Sequence, residues 1–213
     1  MNSIRTLTRR TALVPATVAA AFVLAACGGD GDGGTGQQGP HSSASASADA
    51  GRQAHNAQNV AFAQGMIPHH RQALEMARLA AGRSASAKVE DLAARIEKAQ
   101  DPEISTMTGW LKAWGEKVPR ASEPMPGMDD HSTHSGMPGM MDGQDMAELE
   151  EASGKAFDRM FLTMMVEHHE GAVEMAATQT AKGRYAPAKA LAGDIATAQK
   201  AEITEMNKLL GRD

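Results

Sequence analysis

The chain reads as an all-α protein, a four-helix bundle built from one helical hairpin used twice. The first observation behind this is a repeat. FAQGMIPHHRQALEMA, Phe62 to Ala77, aligns without a gap with FLTMMVEHHEGAVEMA, Phe161 to Ala176, at an offset of 99 residues. The register holds onward: Leu92, Ile96, Gln100, Glu103, Ile104, Met107 and Leu111 match Leu191, Ile195, Gln199, Glu202, Ile203, Met206 and Leu210. A repeat of that length is one supersecondary unit used twice. The second observation is periodicity: Phe62, Met66, His69, His70, Ala73, Met76 and Ala77 fall on one stripe at a 3.6-residue period. The third is composition. Aromatics make up only 3% of the chain, so Ala-rich helices can approach closely, with Met filling gaps. Two hairpins with one apolar stripe each bury those stripes best against one another.

The elements follow in order. A first helix starts near Arg52 and breaks at Gly82 and Ser84. A second runs from about Ala87 to Glu116. Its inner stripe is Leu92, Ile96, Ala99, Glu103 and Met107, with Gln100 at the edge, and Pro102 should kink it or remove a hydrogen bond. A third helix spans about Met146 to Lys182. After a break at Gly183, a fourth runs from about Pro187, suited to a first helical turn, to Leu210. The bundle domain is thus 53–212, one core and one domain.

Residues 1–27 read as an export signal. Arg5, Arg9 and Arg10 precede an apolar stretch from Ala12 to Val23, and Leu24-Ala25-Ala26-Cys27 has the form of a bacterial lipobox. Cys27 is therefore the expected lipidation site, anchoring the protein to the outer face of a cell membrane. The apolar run is short for a membrane span. Arg9-Arg10 is an incomplete twin-arginine signal. Residues 28–52, rich in Gly, Ser and Ala, read as a disordered tether.

Removal of residues 1–26 takes away three Arg and leaves a net charge of −8, with no basic stripe, so nucleic acid is excluded as a partner. Cys27 is the only cysteine. A soft-metal site in an oxidising compartment must then use Met and His.

Those residue types are concentrated. Each repeat carries a His pair, His69-His70 and His168-His169, with Met66 or Met165 one turn earlier. Imidazole and thioether suit soft and borderline metals. Each pair, taken singly, could also consist of satisfied core histidines. Glu103 and Glu202 share the inner stripes, as partners that orient a ligating imidazole or as satisfied buried polar groups. Glu75 and Glu174 point away. Between the hairpins, a flexible linker at 119–146 carries Met125, Met128, His131, His134, Met137, Met140 and Met141. Its Met-x-x-Met and His-x-x-His spacings let a flexible chain wrap a cation.

The duplicated M-x-x-H-H-x-x-A-x-x-M-A, behind a lipobox, resembles the domain-of-unknown-function 305 family of exported bacterial proteins. The resemblance covers about residues 53–212. It implies a ferritin-like fold. It also implies copper, as Cu(I), Cu(II) or both, on Met66, His69, His70, Met165, His168 and His169, because some members bind periplasmic copper. The resulting expectation is an extracytoplasmic copper-binding lipoprotein, not an enzyme, that buffers, sequesters or hands on the ion. Self-association and a copper-handling partner protein stay open. The alternatives are a ferritin-like di-metal redox enzyme using iron or manganese, and a structural module without metal.

Overall fold

The computed structural model describes residues 54–120 and 137–212. The signal and tether, with Cys27, and the linker residues Met125, Met128, His131 and His134 lie outside the described residues.

Four long helices and one short one follow in order: α1 Ala57–Arg83, α2 Ala87–Trp114, α3 Gly143–Glu151, α4 Gly154–Lys182 and α5 Ala186–Leu210. The described residues form an all-α bundle in which α1 packs on α2, α4 on α5, and the two hairpins meet along α1 and α4. The start of α1 is fixed by a reciprocal cap. The Asn56 side chain accepts from the Asn59 amide, and the Asn59 side chain accepts from the Asn56 amide. The same Asn59 oxygen accepts from the amides of Arg184 and Tyr185 at 3.1 and 3.2 Å. The start of α1 thus sits beside the end of α4. At the opposite end, the Ser84 hydroxyl donates to Asp158 at 2.6 Å. The hairpins are therefore antiparallel, and Arg95 of α2 meets Glu205 of α5 at 2.7 Å in the same sense.

Two expectations change on folding. The third helix was expected from Met146 to Lys182 without a break. Instead α3 ends at Glu151 and α4 starts at Gly154, whose φ of +61° turns the chain. The short α3 exists because Asp142 caps it and Leu149 is fully buried in the core. On α2, Ala99 is exposed while Gln100 is 2% exposed, so the stripe passes Ile96, Gln100, Glu103 and Met107. A step of four then three residues follows the helical period better than the Ala99 register. The helix continues through Pro102, which lies on the solvent side.

The core consists of two apolar clusters. One gathers Ala73, Met76, Leu92, Ile96, Phe161, Met165 and Met206, the other Phe62, Met66, Met107, Leu111, Ala172 and Ile195. Every long helix places a pair of polar inward residues between them: His69 and His70, Gln100 and Glu103, His168 and His169, Gln199 and Glu202; buried Asn59 and Gln179 lie outside, near the helix ends. A polar layer divides the core at mid-height.

A strap, Met137 to Met141, crosses that layer from outside. This corrects the expectation of a flexible linker through 146, because its end from Met137 onward is packed on the bundle. Gln72 holds Met141 by both main-chain groups, donating to its carbonyl and accepting from its amide at 2.8 Å each. On the α4 side the strap lies so close that any side chain at Gly171 would collide with the Pro138 carbonyl. Gln72 and Gly171 are matched positions of the repeat. One hairpin supplies the clamp and the other the space. Gly171→Ala should lift the strap and cost about 1–3 kcal/mol by overpacking. Hydrogen exchange of the Met140 and Met141 amides, together with urea unfolding, checks this; native protection at those amides would refute it.

Candidate metal centre

The layer is assembled by antiparallel packing of α1 against α4, which brings the two His pairs face to face. The rings of His69 and His168 lie 3.8 Å apart between centroids, tilted by 45°. All four imidazoles, and Met66 and Met165 one turn away, are fully buried.

Each pair divides its work in the same way. His70 Nε2 lies 2.7 Å from Glu103 Oε2, and His169 Nε2 lies 2.7 Å from Glu202 Oε2. In the neutral ring, Nε2–H donates to the carboxylate, which leaves Nδ1 with a free lone pair. Both Nδ1 atoms are buried and without a hydrogen-bond partner among the described residues. A carboxylate that fixes tautomer and ring orientation is the usual support of a ligating imidazole. The carboxylates are partly open to solvent, at 20% and 15% side-chain exposure, so they stay hydrated at one edge while holding the rings.

The inner pair is held differently. His69 Nε2 lies 3.1 Å from the Pro138 carbonyl, which can only accept, so His69 also presents a bare Nδ1 without a partner. Neither nitrogen of His168 has one. Burial, then the neighbouring His70, lowers the His69 pKa to about 3. The strap carbonyl opposes that shift, and His169 adds to it. Burial pushes His168 well below the usual value, followed by His69, His169 and His70. The His69 backbone works weakly against this, although no His168 nitrogen reaches it with hydrogen-bonding geometry. Both rings are neutral at physiological pH, the protonation state that binds metals.

The sequence-predicted residues thus separate into groups. His69, His70, His168, His169, Glu103 and Glu202 come together, with Met66 and Met165 buried in the adjoining clusters. The two Glu residues bond one imidazole each instead of forming a paired carboxylate centre. No three His, Cys, Asp or Glu among the described residues stand in ligating geometry, so any metal held here would have to recruit thioethers or turn the rings. Met137, Met140 and Met141 line a separate open cleft of about 670 Å³, shared with Met164, Glu167 and Glu170. The sequence reading passed over Pro138, Gln72 and Gly171. Gln72 against Gly171 is only one of several unmatched positions in the repeat, so the sequence did not single them out.

The comparisons with known proteins agree with this construction. Residues 59–210 match the model of the family described as Domain of unknown function (DUF305). The chain belongs to this family. It is 32% identical to a DUF305 protein from Streptomyces coelicolor, covering 72% of this chain and 92% of that one at a TM-score of 0.64. A DUF305 fragment from Deinococcus radiodurans is 31% identical, covering 74% and 98%, with a TM-score of 0.64. CopM in its Cu(II)-bound form is 29% identical, covering 72% and 95%, with a TM-score of 0.61. Its Cu(I)-bound form matches at 29% identity, covering 71% and 94%, with a TM-score of 0.58. No curated protein is significantly similar.

Stability should fall on acidification. In the unfolded chain each imidazole takes a proton near pH 6.5, whereas folded His69 refuses one until about pH 3. Between those values the unfolded state binds more protons, so stability is present above pH 6.5 and lost as pH falls towards 3. The urea midpoint of the metal-free protein should decline from pH 7 to pH 4, and less steeply in His69→Gln/His168→Gln. Parallel profiles for the two proteins would refute the assignment.

Proposed function

We propose that the chain is an extracytoplasmic, membrane-anchored copper-binding protein that buffers, sequesters or hands on the ion without turnover. The observation that carries this reading is the set of buried imidazoles whose Nδ1 atoms have no partner among the described residues, supported by Glu103, Glu202 and the Pro138 carbonyl. The donor set fits the ion. Imidazole accepts both oxidation states, thioether favours Cu(I), and neither donor need lose a proton at neutral pH. Further support comes from CopM, whose copper-bound forms share this architecture at 29% identity. In this reading His69, His70, His168 and His169 are the principal ligands, with Met66 and Met165 completing the coordination of Cu(I). Met137, Met140 and Met141, together with Met125, Met128, His131 and His134 of the linker, make first contact with the ion. The lipidated Cys27 holds the domain at the membrane.

Protein purified after growth with added copper should carry copper; iron or manganese would favour a di-metal enzyme, and no metal would leave a structural module. Replacing His69 and His168 by Ala should weaken Cu(II) affinity more than about tenfold in chelator competition, one lost ligand being worth at least that. Far-UV circular dichroism should stay helical, since Ala favours helix. Replacing Met137, Met140 and Met141 by Leu keeps volume but removes sulfur, so Ag(I) uptake should fall while Cu(II) affinity at the His layer holds. Equal Ag(I) uptake would remove the strap from the path.

A further inference from the structure

The end of the bundle away from α3 has a composition unlike the rest of the molecule. Both tryptophans of the chain and its single tyrosine meet there. Trp110 and Trp114 stack at 6.2 Å, and Tyr185 stands edge-on to them at 5.5 and 5.2 Å. His55 lies flat on Trp114 at 4.5 Å and 9°. Trp110, Trp114 and Tyr185 are half-buried and His55 is exposed, so the cluster packs inward on the core and keeps a face outward.

Charge is polarised in the same direction. Lys112, Lys117, Lys182 and Arg184 are exposed around the aromatics, and Lys189 is half-buried beside them. Across 54–61, 110–120 and 180–189 the only acid is Glu116. At the other end α3 contributes Asp145, Glu148, Glu150 and Glu151, while Asp158 is mixed with Lys155 and Arg159 at the start of α4 and with Arg83 and Lys88. This polarity stands out in a chain whose mature form is acidic overall.

The repeat supplies a control. Because the hairpins are antiparallel, the positions matching this end lie at the opposite end. There Leu209 stands for Trp110, Gly211 for Lys112, Ser86 for Tyr185 and Ala85 for Arg184. The matched positions carry neither tryptophan nor tyrosine and, of these basic residues, keep only the charge of Lys182, as Arg83, so packing does not demand the half-exposed aromatics.

Amphipathic rings ringed by Lys and Arg suit a lipid headgroup region, where one side of the side chain is apolar and the other wet. We infer that this aromatic, basic end of the bundle rests on an anionic phospholipid surface. The path of the chain agrees. Residue 54 enters the fold at this end, next to His55 on Trp114, and residues 28–53 lead back to Cys27. With Cys27 anchored, the chain coming from the membrane would therefore meet the bundle at this end first. The opposite end, with acidic α3, would face away, leaving the cleft beside the strap accessible. The inference shares the anchored N-terminus with the reading above, but its test uses neither lipid anchor nor metal.

The test uses the mature chain without its lipid, residues 28–213. Both tryptophans lie in the patch, so intrinsic fluorescence reports on this end alone. Vesicles of mixed phosphatidylcholine and phosphatidylglycerol should blue-shift the emission, and about 0.5 M salt should reverse the shift by screening. Replacing Lys112, Lys182, Arg184 and Lys189 by Gln should weaken vesicle binding more than about tenfold, each basic residue near the surface contributing. Trp110→Leu, the residue of the matched position, should also weaken it, with Trp114 left as reporter. Far-UV circular dichroism checks that both variants stay folded. An unmoved emission, an equal shift with phosphatidylcholine alone, or unchanged binding by the folded variants would overturn the inference. A shift that follows protein concentration without vesicles would overturn it too, marking the face as a contact between copies. Copper affinity does not enter these readings, so failure here leaves the metal proposal standing.

Discussion

Four imidazoles buried at mid-height are the constraint on which the rest of the bundle depends. A buried polar atom without a partner costs about 1–3 kcal/mol, and five nitrogens of these imidazoles have none among the described residues. That penalty is comparable with the whole stability of a small domain, about 5–15 kcal/mol. The fold sustains it by placing an apolar cluster on each side of the layer. Glu103 and Glu202 each satisfy one nitrogen, and the strap carbonyl satisfies a third. A layer this costly, kept in both hairpins, is hard to account for as packing alone.

The arrangement also links the layer to the outside. His69 reaches the strap, the strap is clamped by Gln72, and its sulfur atoms line the neighbouring cleft. The half-buried thioethers of Met137, Met140 and Met141 thus flank the same segment whose Pro138 carbonyl meets His69. His69 cannot ligate through Nε2 while it donates to Pro138, but its Nδ1 is free without any movement of the strap. The His–Glu bonds impose the same choice on His70 and His169. Three of the four rings therefore offer Nδ1, and antiparallel packing of α1 on α4 brings the pairs together.

Much of this was legible in the chain. The offset of 99, the stripe period and the scarcity of aromatics lead to two hairpins in one helical bundle, because helix periodicity and repetition are local properties of sequence. The same periodicity put the His pairs and Glu103 and Glu202 on inward faces. It did not distinguish Ala99 from Gln100, since neighbouring residues on a helix differ by about 100° and only the packed partner decides which is buried. Nor did it find the break before Gly154, where a burial site for Leu149 makes a short helix worthwhile.

What the sequence by itself determined is the inventory: helices, repeat, soft ligands without cysteine, and a polar residue set at matched positions. Only the tertiary structure decided the pairing, because that depends on how two hairpins meet. It set His69 against His168, gave His70 and His169 their carboxylates, and laid Met137 to Met141 across the layer. The strap owes its place to Gln72 and Gly171, matched residues whose opposite roles follow from which side of the bundle the chain returns along. No local pattern encodes that side, because it is a property of the assembled core.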